Sequence, residues 1–184
     1  MKKILLVIAL AAMLALAACA SNGSGEQSED PTGSGAAEEP QAGMPNPWSD
    51  VASAEEAAAG AGVGTFEVAD NLGVSDMTLF DPQYRCMEGI AEVDLQGGAF
   101  QVTVRKGAGF SGQDLSGDYT EYPLEWTQDC DGVEVSCRGY EEGMAAAFDW
   151  TVGDASYSVM FEGLGGEEMA VDAEDVATIV ASVK

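Results

Sequence analysis

From Ile90 to Leu95 the chain alternates: Ala91, Val93 and Leu95 fall on one side, Glu92 and Asp94 on the other. Phe100 to Arg105 repeats the pattern, with Phe100, Val102 and Val104 set against Gln101, Thr103 and Arg105. A period of two marks a strand with unlike faces, and it predicts antiparallel sheet with one face packed and one wet. Tyr122–Trp126, Val133–Cys137, Ala145–Trp150 and Ser156–Phe161 continue the series, and a short apolar run, Met77–Phe80, precedes it. Gln96-Gly97-Gly98 and Asp131-Gly132 read as hairpin turns.

Helical signals flank these strands. Ser53-Ala54-Glu55-Glu56 has the spacing of a capping box, with Glu56 placed to reach back to the Ser53 amide. Gly60, Gly62 and Gly64 stop the helix that follows, which spans about residues 54–60. Near the C-terminus Asp172 is a good N-cap with Asp175 in the first turn. Val176, Ile179, Val180 and Val183 then form one apolar stripe, for packing on the sheet or, alternatively, on a partner. The order predicts an α+β fold: a curved antiparallel β-meander with a short N-terminal helix and a C-terminal amphipathic helix packed on one face.

The patterned region, 47–184, has the size of one domain. Residues 1–18 read differently. Lys2 and Lys3 precede an uncharged apolar stretch from Ile4 to Ala18, shorter than the roughly 20 residues a spanning helix needs. That is the layout of a secretory signal peptide. Leu16-Ala17-Ala18-Cys19 resembles the lipobox of bacterial lipoproteins, which implies that Cys19 becomes the mature N-terminus and carries lipid on its sulfur. Two acyl chains on one residue suffice for stable anchoring where one does not. The expected location is the extracytoplasmic face of the cell membrane. Residues 19–46 follow as a disordered acidic Gly/Ser/Pro linker, with a coil dimension of roughly 30 Å.

Charge narrows the function classes. The 184 residues include 7 basic and 32 acidic side chains and no histidine, for a net charge of −25. A nucleic-acid interface needs a basic face, and this chain lacks one. Histidine catalysis is excluded outright. An excess of carboxylates fits solubility, or attraction of divalent cations or basic peptides.

Three cysteines follow Cys19: Cys86, Cys130 and Cys137. A two-residue Asp131-Gly132 turn pairs Cys130 with Val133 and puts Cys137 opposite Trp126. Cys130 and Cys137 are then roughly 13 Å apart along the ladder, too far for a disulfide. A wider loop would rescue that bridge. Cys86 with Cys137 is the favoured pairing; Cys86 with Cys130 and three free thiols stay open. Without histidine and in so negative a field, the thiols are expected to have raised pKa values, which argues against a thiol nucleophile.

Asp129-Cys130-Asp131-Gly132 has part of a calcium-loop pattern, but its first and twelfth positions would be Thr127 and Arg138, neither suited to the ligand role. It reads as a turn, and no metal or cofactor is expected. The candidate ligand loop is Arg105, Lys106, Asp114, Asp118 and Tyr119; its structural alternative returns Asp114 or Asp118 to Arg105 or Lys106 around a Ser116-Gly117 turn. Tyr119, Tyr122, Trp126, Tyr140, Phe148, Trp150, Tyr157 and Phe161 crowd the second half, as core or as a groove for peptide or glycan.

Asn46-Pro47-Trp48, Ser53-Ala54-Glu55-Glu56-Ala57 leading to Gly62-Val63, Val104-Arg105-Lys106-Gly107, Asp114-Leu115-Ser116-Gly117-Asp118-Tyr119, Tyr157-Ser158-Val159 and the terminal helix together carry a resemblance. The chain resembles small Gram-positive lipoproteins, many from gut anaerobes, with a domain of unknown function. The resemblance implies no catalytic residue, brings no pairing for the cysteines, and suggests sensing by analogy with related envelope-stress domains. The expected function is a non-catalytic binding or interaction module of the cell envelope, held to the membrane through Cys19 and meeting an envelope protein, a basic peptide or a cation. A carboxylate-dependent cell-wall hydrolase and an inert acidic surface protein are the alternatives.

Overall fold

A computed structural model describes residues 46–110 and 113–184. The expected signal peptide, Cys19 and the linker up to residue 45 lie outside the described residues. The elements are β1 (Ser49–Val51), α1 (Ala54–Ala61), β2 (Phe80–Met87), β3 (Ile90–Gln96), β4 (Phe100–Ala108), β5 (Leu124–Cys130), β6 (Val133–Gly139), β7 (Ala147–Val152), β8 (Ala155–Gly163) and α2 (Ala173–Ser182). All eight strands join one open antiparallel sheet in the order β1-β2-β3-β4-β8-β7-β6-β5.

The α+β class stands, but the strand order is not a continuous meander. β4 pairs with β8, not with β5. β4 and β8 thereby meet at the centre of the sheet, with Val102 opposite Phe161 and Val104 opposite Val159. The connection after β4 must then carry the chain from the middle of the sheet to its far edge at β5.

The alternation sets the core. Ala91, Val93, Leu95, Val102, Val104, Val135, Phe148, Val159 and Phe161 are buried in one cluster, to which α1 adds Ala57, Ala58 and Ala61 and the C-terminal segment adds Val176, Ile179 and Val183. Ser53 Oγ accepts from Glu56 N at 3.2 Å, and Glu56 Oε2 accepts from Ala52 N at 2.9 Å, one residue before the amide expected. Asp172 Oδ1 accepts from the amides of Glu174 and Asp175 at 2.9 and 3.0 Å. Gly60 does not end α1; Gly62 does, in the left-handed conformation. Gly60 lies within the helix and lets it approach β2, because a Cβ there would stand 2.5 Å from Cys86 Sγ.

β1 and β2 have no counterpart in the sequence reading, and Met77–Phe80 contributes only the first residue of β2. β2 escapes a pattern search because Asp81 and Pro82 interrupt it at a register shift between Phe80 and Gln83. A bulge is where a strand tolerates proline.

The Asp131-Gly132 hairpin has the expected register, Cys130 opposite Val133 and Trp126 opposite Cys137. Both turn residues have positive φ, 53° and 86°, as a tight two-residue hairpin requires. Cys86, Cys130 and Cys137 are buried free thiols. The favoured Cys86–Cys137 bridge is absent because β3, β4, β8 and β7 separate β2 from β6. At about 4.8 Å per strand, that exceeds the Cα separation of about 7 Å a disulfide spans.

Candidate functional site

The sheet face opposite the core is not simply wet. The register aligns Asp50, Arg85, Glu92, Arg105, Ser158, Asp149 and Ser136 as successive cross-strand partners. Glu92 is fully buried. One of its carboxylate oxygens takes Arg85 Nε and the other takes Arg105 Nε at 2.5 Å. The Trp48 ring covers both guanidiniums, 4.7 Å from Arg85 and 5.4 Å from Arg105. This cluster fixes the start of the domain to the middle of the sheet.

Arg105 also organises the segment after β4. Its Nη1 donates to Leu115 O at 3.2 Å and to Ser116 O. Asp114 Oδ1 accepts from Ser116 N and Ser116 Oγ at 2.8 and 2.6 Å, and Ser116 Oγ accepts from Asp118 N at 3.1 Å. Asp118 then uses both oxygens, accepting from Thr120 N at 2.9 Å and from Tyr122 Oη at 2.6 Å. The loop therefore returns to Arg105 through its carbonyls, not through Asp114 or Asp118.

Of the five candidate loop residues, Arg105, Asp114 and Asp118 belong to this arrangement, and Tyr119 stands at its rim, 96% exposed. Lys106 is elsewhere. It is buried on the core side, bonded through Nζ to Thr65 O and 5.2 Å from the Tyr157 ring centre. Neighbouring strand residues point to opposite faces, so Arg105 and Lys106 do not make one basic patch.

Two clefts flank the loop. The first, of about 500 Å³, is lined by Asp118, Glu162, Glu167 and Glu168 together with Tyr119, Tyr122 and Tyr140, and no lysine or arginine lines it. The Tyr122 and Tyr140 rings lie 5.3 Å apart. Burial works to raise the Asp118 carboxyl, but hydrogen bonds from Thr120 and Tyr122 and the charge of Arg138 outweigh it and hold Asp118 below the usual carboxylate range. Burial, then the hydrogen bond to Asp118, pushes the Tyr122 phenol up, so it stays a donor.

The second cleft, of about 770 Å³, is lined by Asp114, Glu134, Ser136, Arg138, Asp149, Thr151 and Ser156, among others. Arg138 Nη2 meets Asp149 Oδ2 at 2.7 Å. Burial raises the Asp149 carboxyl above its ordinary range despite the opposing attraction of Arg138.

The remaining sequence candidates are structural here. Asp129 Oδ1 accepts from Gly132 N at 3.2 Å and so closes the hairpin turn. Burial pushes the Cys137 thiol up to about 11, in the expected direction. The aromatics divide: Phe148, Trp150, Tyr157 and Phe161 are core residues, whereas Tyr119, Tyr122 and Tyr140 line the first cleft. Sequence reasoning missed Trp48, Arg85 and Glu92 as one cluster, and the Glu162–Glu168 wall. The alternation had placed Glu92 on the polar side but carried no sign of what covers it. No protein family, curated protein or solved structure matched this chain when it was compared with them.

Proposed function

We propose that this chain is a lipid-anchored extracytoplasmic lipoprotein acting as a non-catalytic binding module of the cell envelope, and that its tyrosine-lined cleft takes a basic peptide segment of an envelope protein. The observation that carries this reading is the first cleft: four carboxylates and three tyrosines with no lysine or arginine in the lining, while Arg138 reaches it from outside, 5.7 Å from the Tyr122 ring centre. Carboxylates supply charge-assisted acceptors for lysine and arginine, and tyrosine faces attract the same cations. Tyr119, almost wholly exposed at the cleft, offers its ring to a bound side chain in this reading. The net charge of −25 draws a basic partner in from a distance. Membrane attachment rests on Leu16-Ala17-Ala18-Cys19 alone.

The test is fluorescence anisotropy of the full chain with a labelled Lys/Gly decapeptide, using a Glu/Gly peptide as control. Tyr119→Ala is expected to weaken binding about two- to fivefold, the value of one exposed cation–π contact, and Glu167→Gln with Glu168→Gln to weaken it further. Equal losses from Glu55→Gln with Glu174→Gln, on the two helices, would sink this reading and leave generic attraction by an inert acidic surface.

A further inference from the structure

β5 stands at one end of the sheet order, and among the described residues its only ladder is to β6. The strand at the opposite end, β1, has three residues; β5 has seven. The two-residue Asp131-Gly132 hairpin is closed by a hydrogen-bonded pair, Cys130 with Val133. Bonded and non-bonded pairs then alternate along an antiparallel ladder. Leu124, Trp126, Gln128 and Cys130 therefore turn their backbone groups to β6, and Glu125, Thr127 and Asp129 turn theirs outward. All three outward residues are exposed. No turn, loop or cap backbone group bonds to them among the described residues. α2 approaches β5 from the core side, where Gln128 Nε2 donates to Ala173 O at 2.7 Å, and leaves the edge open.

An unpaired edge of this length is a template for another strand, and its charges decide which. Glu125 and Asp129 flank Thr127 on the face opposite the core. The neighbouring strand adds Glu134 opposite Asp129, and its Arg138, opposite Glu125, is already engaged by Asp149. Two copies of this chain joined antiparallel about Thr127 would set Glu125 of each against Asp129 of the other. Like charges directly opposite oppose strand pairing, and a net charge of −25 keeps two copies apart at longer range. A strand with cations at alternate positions meets the same two acids favourably.

We propose that the free edge of β5 takes an extended segment of a partner protein as an added antiparallel strand, with lysine or arginine at alternate positions opposite Glu125 and Asp129. The outward amides and carbonyls of Glu125, Thr127 and Asp129 supply the ladder, and the carboxylates select the charge. No residue of β5 lines the tyrosine-walled cleft. The proposal goes beyond that cleft and shares with it only the charge of the partner.

Amide NMR of the full chain, titrated with the heptapeptide acetyl-Lys-Thr-Lys-Thr-Lys-Thr-Lys-amide, tests the proposal. Hydrogen exchange is expected to slow at the amides of Glu125, Thr127 and Asp129, with those of Trp126 and Gln128 unchanged. Methylating the backbone nitrogens of the peptide's lysines keeps every charge but removes the donors that face β5. Affinity read from the β5 amides should then fall about tenfold or more. Methylating the threonine nitrogens, which face away, should leave it unchanged. Thr127→Pro deletes one outward donor where an edge strand tolerates proline. It should weaken binding about fivefold, while unchanged protection of the β6 amides shows the hairpin intact. Equal binding of both methylated peptides would overturn the proposal and leave attraction by charge alone. Protection of the three outward amides before any peptide is added, with the sedimentation of a dimer, would also overturn it and assign the edge to a second copy. Glu167→Gln with Glu168→Gln should leave protection on β5 unchanged, so failure at the first cleft is distinguishable from failure here.

Discussion

Glu92 sits between two arginines with none of its surface exposed. Removing its charge leaves both guanidiniums beneath Trp48 without their shared partner. Breaking one side of a buried ion pair costs about 3–5 kcal/mol, a large part of the roughly 5–15 kcal/mol that holds a domain together. Glu92→Gln is therefore expected to lower the urea midpoint sharply, and a loss below about 1 kcal/mol would show that water solvates the pair. How far the sequence reveals such a residue is instructive. Period-two alternation assigns Glu92, Asp94, Thr103 and Arg105 to the polar side, where they are found. It says nothing of burial on that side, because Trp48 precedes the first strand and the Leu115–Ser116 carbonyls follow β4. Covering groups from distant positions leave no periodic trace.

Among the elements, hairpins were the most legible. Asp131-Gly132 fixes its own register through two positive φ angles, and the two-residue turn keeps Cys130 and Cys137 apart where a wider loop would have brought them together. β2 was illegible because it is irregular, and β1 because three residues cannot show a period. The turn after β8 is a further element that sequence does not announce. A Cβ on Gly163 would stand 1.7 Å from Glu167 O, so the chain doubles back against β8 only where residue 163 has no side chain. Gly163→Ala must displace backbone, and overpacking of this kind costs about 1–3 kcal/mol. Glu167 and Glu168 wall the first cleft, so the same variant is expected to weaken binding of the Lys/Gly peptide although Gly163 offers it no charge. A lowered melting temperature with unchanged anisotropy would separate the turn from the site.

At the scale of the whole molecule, strand order is what a linear reading cannot supply. Each strand was recognisable, but the choice of β8 over β5 as the partner of β4 depends on apolar matching across the chain. That choice also separates Cys86 from Cys137. Cys86, Cys130 and Cys137 are expected to resist an aqueous maleimide in the native protein and, Cys19 apart, to react together once it is unfolded without reductant. Recovery of one reactive thiol in place of three would demonstrate a disulfide.

Trp48 has one more consequence, and it is mechanical. Tension arriving through residue 46 meets β1, an edge strand of three residues that peels easily if it bears the load alone. The indole shares the load with β4, because it stacks on Arg105 as well as on Arg85. Two residues along β4, on the same face, Thr103 lines the tyrosine-walled cleft. A pull between whatever precedes residue 46 and whatever occupies that cleft thus reaches the central strand β4 as well as the edge strand β1, and β4 is held by long ladders on both sides.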